Sequence, residues 1–398
     1  MSIVLLESFS RYNAFADGSR KWSFDHSGAA NNTTIGVGEG PGTFPGGRQR
    51  RPYPNCLKWD GAYGYGTEMD AYTAFPATDE VIIGFNLRVD GIFEAAPHNE
   101  TRFLSINNSL NPNYTHCYLR LEHDYADGPD PDKCFLSLIT GFTELEDGTQ
   151  YGISSYGDWE PYAFLIGQWY YVELYYKISN SVGAFELRVD GELRASGSGL
   201  DTTTDPTYTT ADQLHIEANV SYPSSTYGSG TAFSIADLWV VDKTIGSQHV
   251  DFLYPAVIDT LYVDAESAQI DFTPQTGADN SDMVDDSTQH DYDTTYNEST
   301  TATDKDRFTV TGPVPDSPLG IIEAVQVSAI VKDTADTGTR EARCVISENG
   351  TEGNGDTVTL TESGWQDLSA IFPQNPDTTA AWNVDEVENA EIGYEIVT

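Results

Sequence analysis

An all-β chain of two domains, the second the smaller, is what three features of the sequence predict. The 35 glycines and 19 prolines, with frequent Asn, Asp, Ser and Thr, interrupt the chain too often for long helices. The 23 tyrosines, 17 phenylalanines and 7 tryptophans, within an apolar fraction of 39%, are enough for packed cores rather than disorder. Between the turn residues, short runs alternate apolar and polar side chains, the period of a strand with one buried face. At 398 residues the chain exceeds one ordinary core, and two domains are the simplest division.

The clearest strand is 81–91 (VIIGFNLRVDG), where Ile83, Phe85, Leu87 and Val89 alternate with Gly84, Asn86 and Arg88 ahead of an expected Asp90-Gly91 turn. Shorter strands are expected at 102–106, 118–122, 135–140 and 164–166. The run 169–178 (WYYVELYYKI) puts Tyr170, Val172, Leu174 and Tyr176 on one face and Tyr171, Glu173, Tyr175 and Lys177 on the other. After a turn at 179–183, residues 184–190 (AFELRVD) alternate again and end at Gly191, an antiparallel hairpin with a second turn behind it. Residues 233–242 (FSIADLWVVD) close the pattern. The similar strings NLRVDG (86–91) and ELRVDG (186–191) have unmatched surroundings and make no internal repeat.

Strand-like patches continue at 260–263 and 268–272, and then the character changes. Residues 273–306 are rich in Asp, Ser and Thr and almost free of aliphatic side chains, which predicts a linker or a long exposed loop. The expected domains are therefore 1–250 and 251–398, with the polar segment early in the second. That domain has strand patterns at 307–311, 321–331, 341–347, 357–360 and 392–397, and one short helix at 384–390 with Asn383 as N-cap.

The 62 acidic residues against 20 basic ones give a formal charge of −42, which repels nucleic-acid phosphates and anionic membranes. Neither nucleic acid nor membrane insertion is expected, since no run approaches the roughly 18 to 20 apolar residues of a span. The opening MSIVLLESF reads as lacking a Sec-type leader. Cys56, Cys117, Cys134 and Cys344 show no paired spacing and read as reduced, mostly buried thiols.

Glycoside hydrolysis is the enzyme class to weigh first, because it needs paired carboxylates. Glu144 and Glu146 share a face but abut Gly148, and Asp158 and Glu160 flank Trp159; in so acidic a chain both pairs read more simply as solvated loops. His116 and His123 fall on opposite faces of a continuous strand, and the histidines offer little for acid–base work or a metal site. Nucleotide, zincin and G-x-S-x-G hydrolase motifs are absent. No cofactor is expected beyond calcium, for which Asp124, Asp127, Asp130 and Asp132 in one loop are the first candidates and Asp279, Asp282, Asp285 and Asp286 in another the second. Tyr151, Tyr156, Trp159 and Tyr162 cluster around a Gly/Ser loop as candidates for stacking on a sugar, or as core or interface rings.

The patterns W-x-x-V-x-L-x-Y at 169–176, G-x-F-x-L-x-V-D-G at 183–191 and I-A-D-L-W-V-V-D at 235–242 resemble the laminin-G/concanavalin A-like jelly roll over roughly residues 20–250. The segment LLESFSRYNAFADGSRKW (5–22) looks like the opening of tailed-bacteriophage virion structural proteins, and 321–347 with 382–387 and 391–393 is similar to the β domain that follows the jelly roll in them. The resemblance implies a non-enzymatic virion protein, assembled in the host cytoplasm and exposed on the particle. It would sit at the tail fibre or baseplate, or alternatively decorate the capsid, with other virion proteins, its own copies as an oligomer such as a trimer, and a host-surface glycan as partners. A polysaccharide-degrading glycoside hydrolase or depolymerase is the alternative.

Overall fold

A computed structural model of the protein describes residues 2–7, 23–27, 33–36, 56–59, 68–93, 98–124, 133–140, 149–152, 164–203, 205–220, 230–244, 251–253, 256, 258–285, 293–310, 321–334, 340–360 and 364–398. The chain divides into two compact units, Met1–Ile258 and Asp259–Thr398. Among the described residues no helix is long and apolar enough to cross a membrane.

Unit one opens with β1 (Ser2–Glu7), β2 (Ser23–Ser27), β3 (Thr33–Gly36), β4 (Cys56–Trp59), β5 (Glu68–Thr78) and β6 (Glu80–Phe93). It continues through β7 (His98–Asn108), β8 (Asn111–Asp124), β9 (Lys133–Thr140), β10 (Thr149–Gly152) and β11 (Phe164–Leu165). It ends with β12 (Trp169–Lys177), β13 (Gly183–Val189), β14 (Glu192–Leu200), β15 (Ala211–Val220) and β16 (Gly230–Asp242). These form two eight-stranded antiparallel sheets. The first runs β14-β13-β12-β6-β16-β4-β3 with β1 on β16, and the second runs β10-β9-β8-β7-β15-β5-β2 with β11 on β9. This is the predicted concanavalin-like jelly roll.

The core lies between the sheets, because each strand turns its apolar set inward at period two. Phe85 and Phe103, from opposite sheets, meet edge to face at 6.0 Å; Phe103 meets Phe233 at 5.5 Å, and Trp59 stacks on Phe233 at 4.9 Å. Val172, Leu174 and Tyr176 join the core as the alternation of 169–178 requires. The opposite face of this first sheet is covered too. Leu253 donates its backbone N–H to Glu173 at 2.7 Å, Ile258 donates to Asp237 at 3.3 Å, and Asn86 donates to the other Asp237 oxygen at 2.7 Å. On that face Gly84 lies under Trp239, and a β-carbon there would fall 2.2 Å from the indole ring. We expect Gly84→Ala to cost about 1–3 kcal/mol through overpacking, read as a lower denaturant midpoint; an unchanged midpoint would contradict this packing.

The two Asp-Gly steps differ. Asp190 and Gly191 both have positive φ, 52° and 79°, the geometry of a tight hairpin turn. The expected turn at Asp90-Gly91 is instead a register shift inside β6, which runs on to Phe93 because β16 continues to pair with it. Asp90 is held by Arg88 at 2.5 Å and by the Ser234 hydroxyl.

Unit two comprises β17 (Val263–Ile270), β18 (Thr273–Pro274), β19 (Asn297–Glu298), β20 (Lys305–Val310), β21 (Val325–Val331), β22 (Glu341–Glu348), β23 (Thr351–Asn354), β24 (Val358–Thr359), β25 (Gln366–Phe372) and β26 (Glu391–Ile396). A six-stranded sheet, β17-β20-β26-β22-β23 with β24 on β22, is accompanied by the pairs β21–β25 and β18–β19. Its core joins Val327, Leu368 and Phe372 of the β21–β25 pair to Cys344 and Ile346 of the larger sheet. The helix expected after Asn383 is present as α1 (Val384–Asn389), closed by a capping box between Asn383 and Glu386. The polar segment is not merely a linker or exposed loop. Asn280 is buried, and its amide donates to Asp306 at 2.7 Å and to the Phe272 carbonyl at 2.9 Å.

Candidate functional site

The second jelly-roll sheet turns a polar face away from the core, built from β5, β15, β7, β8 and β9. In β15, Leu214 and Ile216 enter the core, so Gln213, His215 and Glu217 point outward. Register then aligns side chains in rows. His215 faces Tyr72 of β5 on one side and Ser105 of β7 on the other, and Ser105 in turn faces Tyr118 of β8. One row over, Gln213 faces Asn107. On the other side Arg102 faces Arg120, which faces Ser137 of β9. The register shift between Ile216 and Asn219 brings Glu217 beside Arg102.

Contacts tie the rows together. Tyr72 stacks on His215 with centroids 5.0 Å apart and planes 18° from parallel. His215 Nε2 lies 3.3 Å from Gln213 Oε1. The Arg102 guanidinium lies 4.8 Å from the Tyr118 ring centre and 3.4 Å from a Glu217 oxygen, and Arg120 Nε donates to Ser137 at 3.3 Å. His215, Ser105, Asn107, Tyr118 and Arg120 are nearly enclosed, whereas Arg102 and Glu217 keep 20% and 13% of their side-chain surface open. Among the described residues the Ser105 hydroxyl and Asn107 Oδ1 are buried without a hydrogen-bond partner. Such atoms cost roughly 1–3 kcal/mol unless something satisfies them.

The face therefore combines two cationic groups, one of them beside the Glu217 carboxylate, with an imidazole and two phenols. It can hold an anion and move protons. Sequence reading missed it: β15 was not expected as a strand, and the histidines were set aside. The signal was the alternation Gln213-Leu214-His215-Ile216-Glu217, partly hidden because three of its five side chains are polar. The residues singled out from sequence fare differently. Tyr156, Trp159, Tyr162, Asp127, Asp130, Asp132, Asp286, Glu144, Glu146, Asp158 and Glu160 lie outside the described residues, as do the side chains of Tyr151 in β10 and Asp124 in β8. Among the described residues no three His, Cys, Asp or Glu side chains gather as a metal site, so Asp279, Asp282 and Asp285 do not form one.

His116, on β8, is a different case. Its ring is buried, Nε2 meets the Thr210 carbonyl at 3.1 Å, and burial pushes its pKa below the ordinary 6.5 against the opposing pull of that carbonyl and Asp212. A depressed folded-state pKa means that the neutral ring's stabilisation is present above the unfolded value and is lost as pH falls through the folded one. We expect the jelly roll's melting temperature to drop as pH falls below about 6.5, and His116→Gln to reduce that drop. An identical pH profile in the variant would remove His116 as its cause.

No family model matches this chain and no curated protein does. Solved structures do match. Alginate lyase Aly36B in complex with alginate trisaccharide is 14% identical, with 60% of this chain and 98% of that one covered at a TM-score of 0.39. Alginate lyase vAL-1 from Chlorella virus is 11% identical, covering 61% and 99% at 0.35. The Emp46p carbohydrate recognition domain in its potassium-bound form is 12% identical, covering 60% and 97% at 0.33. The expectation of a non-enzymatic structural protein of a virion, at the tail fibre or baseplate or as capsid decoration, is corrected at this point: the matched structures include several alginate lyases.

Proposed function

We propose that the chain binds a carboxylate-bearing polysaccharide across the outer face of its second jelly-roll sheet and cleaves it by elimination. The observation that carries this reading is the alignment of Arg102 with Arg120 beside the row Tyr72–His215–Ser105–Tyr118. It rests on that geometry and on no neighbour's activity. In a chain of charge −42, two arginines facing one another on a strand face are suited to holding a carboxylate. His215 and Tyr118 flank Ser105, two strand spacings or about 10 Å apart.

His215 removes the proton from the carbon next to the carboxylate, and the charge that develops is stabilised by Arg102 and Arg120. The released electron pair forms the carbon–carbon double bond, the bond to the glycosidic oxygen breaks, and Tyr118 supplies the proton that oxygen takes up. Hydrolysis fits the face less well. It needs two carboxylates, whereas the acid given by β15 is Glu217, already beside Arg102.

Incubation with alginate or polygalacturonate tests the reading. Elimination yields new reducing ends together with ultraviolet absorbance from the conjugated double bond. Reducing ends without that absorbance would replace it by hydrolysis, and retention of the polymer without cleavage would leave only binding. The particle surface, with other virion proteins and self-association into an oligomer, belongs to the proposal as the setting in which such a chain meets a host glycan. Immunogold labelling of purified particles and sedimentation of the chain test it; unlabelled particles and a monomer would remove it.

A further inference from the structure

Gln213 and His215 lie two residues apart on the outward face of β15, with Gln213 Oε1 3.3 Å from His215 Nε2. An amide oxygen can only accept, so this contact forms as a hydrogen bond when Nε2 carries the proton, and a neutral imidazole protonated there carries its lone pair on Nδ1. The stacked Tyr72 ring restrains the second degree of freedom, the plane of the imidazole. Register supports the arrangement. Tyr72 and Ser105 sit directly across from His215 on its two neighbouring strands, so the ring is confined on both sides.

We propose that Gln213 is a positioning residue: it holds His215 as the Nε2–H tautomer, with Tyr72 fixing the ring plane, so that Nδ1 is the atom that takes the substrate proton. The role of Nδ1 rests on the elimination reading above; the tautomer does not. In the proton-transfer step the carbon–hydrogen bond breaks, its electron pair stays with the substrate to form the double bond, and the new N–H bond forms at Nδ1. The imidazolium then carries both protons until solvent takes one back.

Imidazole NMR on the full chain with labelled histidine, assigned through His215→Ala, reads the tautomer directly and requires no activity. The wild type is expected to show Nε2–H, and Gln213→Leu a mixture of tautomers. In the elimination assay Gln213→Leu should lower kcat by at least about tenfold with KM little changed, as expected when an imidazole is held in the wrong tautomer. Gln213→Glu keeps the acceptor and adds a charge, so it should preserve the tautomer and move the acid limb of the kcat profile to higher pH. A wild-type Nδ1–H tautomer, or a tautomer unchanged in Gln213→Leu, overturns the positioning role. A Gln213-dependent Nε2–H tautomer in a chain that eliminates no polyuronate overturns the catalytic role of Nδ1 and the proposed function, and leaves the tautomer assignment standing.

Discussion

Replacing His215 with alanine is expected to slow cleavage of a carboxylate-bearing polysaccharide by about 10²- to 10⁴-fold, the usual contribution of a positioned general base. The loss should appear in kcat, because the carboxylate contacts assigned to Arg102 and Arg120 remain. Arg102→Met should raise KM as well, since it removes one of the two facing cations. The distinction matters. A His215→Ala chain that cleaves at the wild-type rate would remove the imidazole from the chemistry even if the polymer still bound to the face. His215 packs against Tyr72 and points away from the core, so its truncation is expected to leave the jelly roll folded. An unchanged denaturant midpoint is the control.

The second large effect is expected in unit two, on stability. Asp306 is buried and accepts from the backbone N–H of Asp271 at 2.8 Å, of Phe272 at 2.9 Å, from the Asn280 amide at 2.7 Å and from the Tyr394 hydroxyl at 3.3 Å. Asp306→Ala takes an acceptor from four donors; the Asp271 N–H keeps the Lys305 carbonyl at 3.1 Å and the Asn280 amide keeps the Phe272 carbonyl, while the Phe272 N–H, the Tyr394 hydroxyl and the second Asn280 amide hydrogen lose theirs. At roughly 1–3 kcal/mol for each buried group left unsatisfied, a loss of at least about 3 kcal/mol is expected, a large part of the roughly 5–15 kcal/mol that holds a domain. Limited proteolysis mapped to residues 259–398 reads it, and equal protection in variant and wild type would contradict it. Burial raises the Asp306 pKa above the usual carboxylate value, with the four donors pulling the other way. A raised folded-state pKa contributes stability below the unfolded value and loses it as pH rises through the folded one. Acid is therefore not expected to unfold this unit through Asp306.

Much of the fold was legible because its causes are local. The alternation at 81–89 and 169–176 needs only neighbouring residues to be read, and β6 and β12 follow it. Asn383 likewise announced the start of α1, and the structure adds the capping box that Glu386 completes. The failures came where a distant strand decided the outcome. Asp90-Gly91 and Asp190-Gly191 carry the same dipeptide, and only the continued pairing of β16 makes the first a register shift inside β6. The polar run after residue 272 looked unable to pack, yet Asn280 is buried because Asp306, remote in sequence, accepts its amide hydrogen.

The site shows the same limit more sharply. Tyr72, Arg102, Tyr118 and His215 come from four strands, and apart from the alternation that runs through His215 nothing in the residues around each marks it from other tyrosines, arginines or histidines of the chain. By itself the sequence determined the strand periods, the apolar inventory for two cores and the acidic charge, all set by composition and near neighbours. Which polar side chains share one sheet face was decided only by the tertiary structure, because register between strands far apart in the chain depends on burying both apolar faces at once.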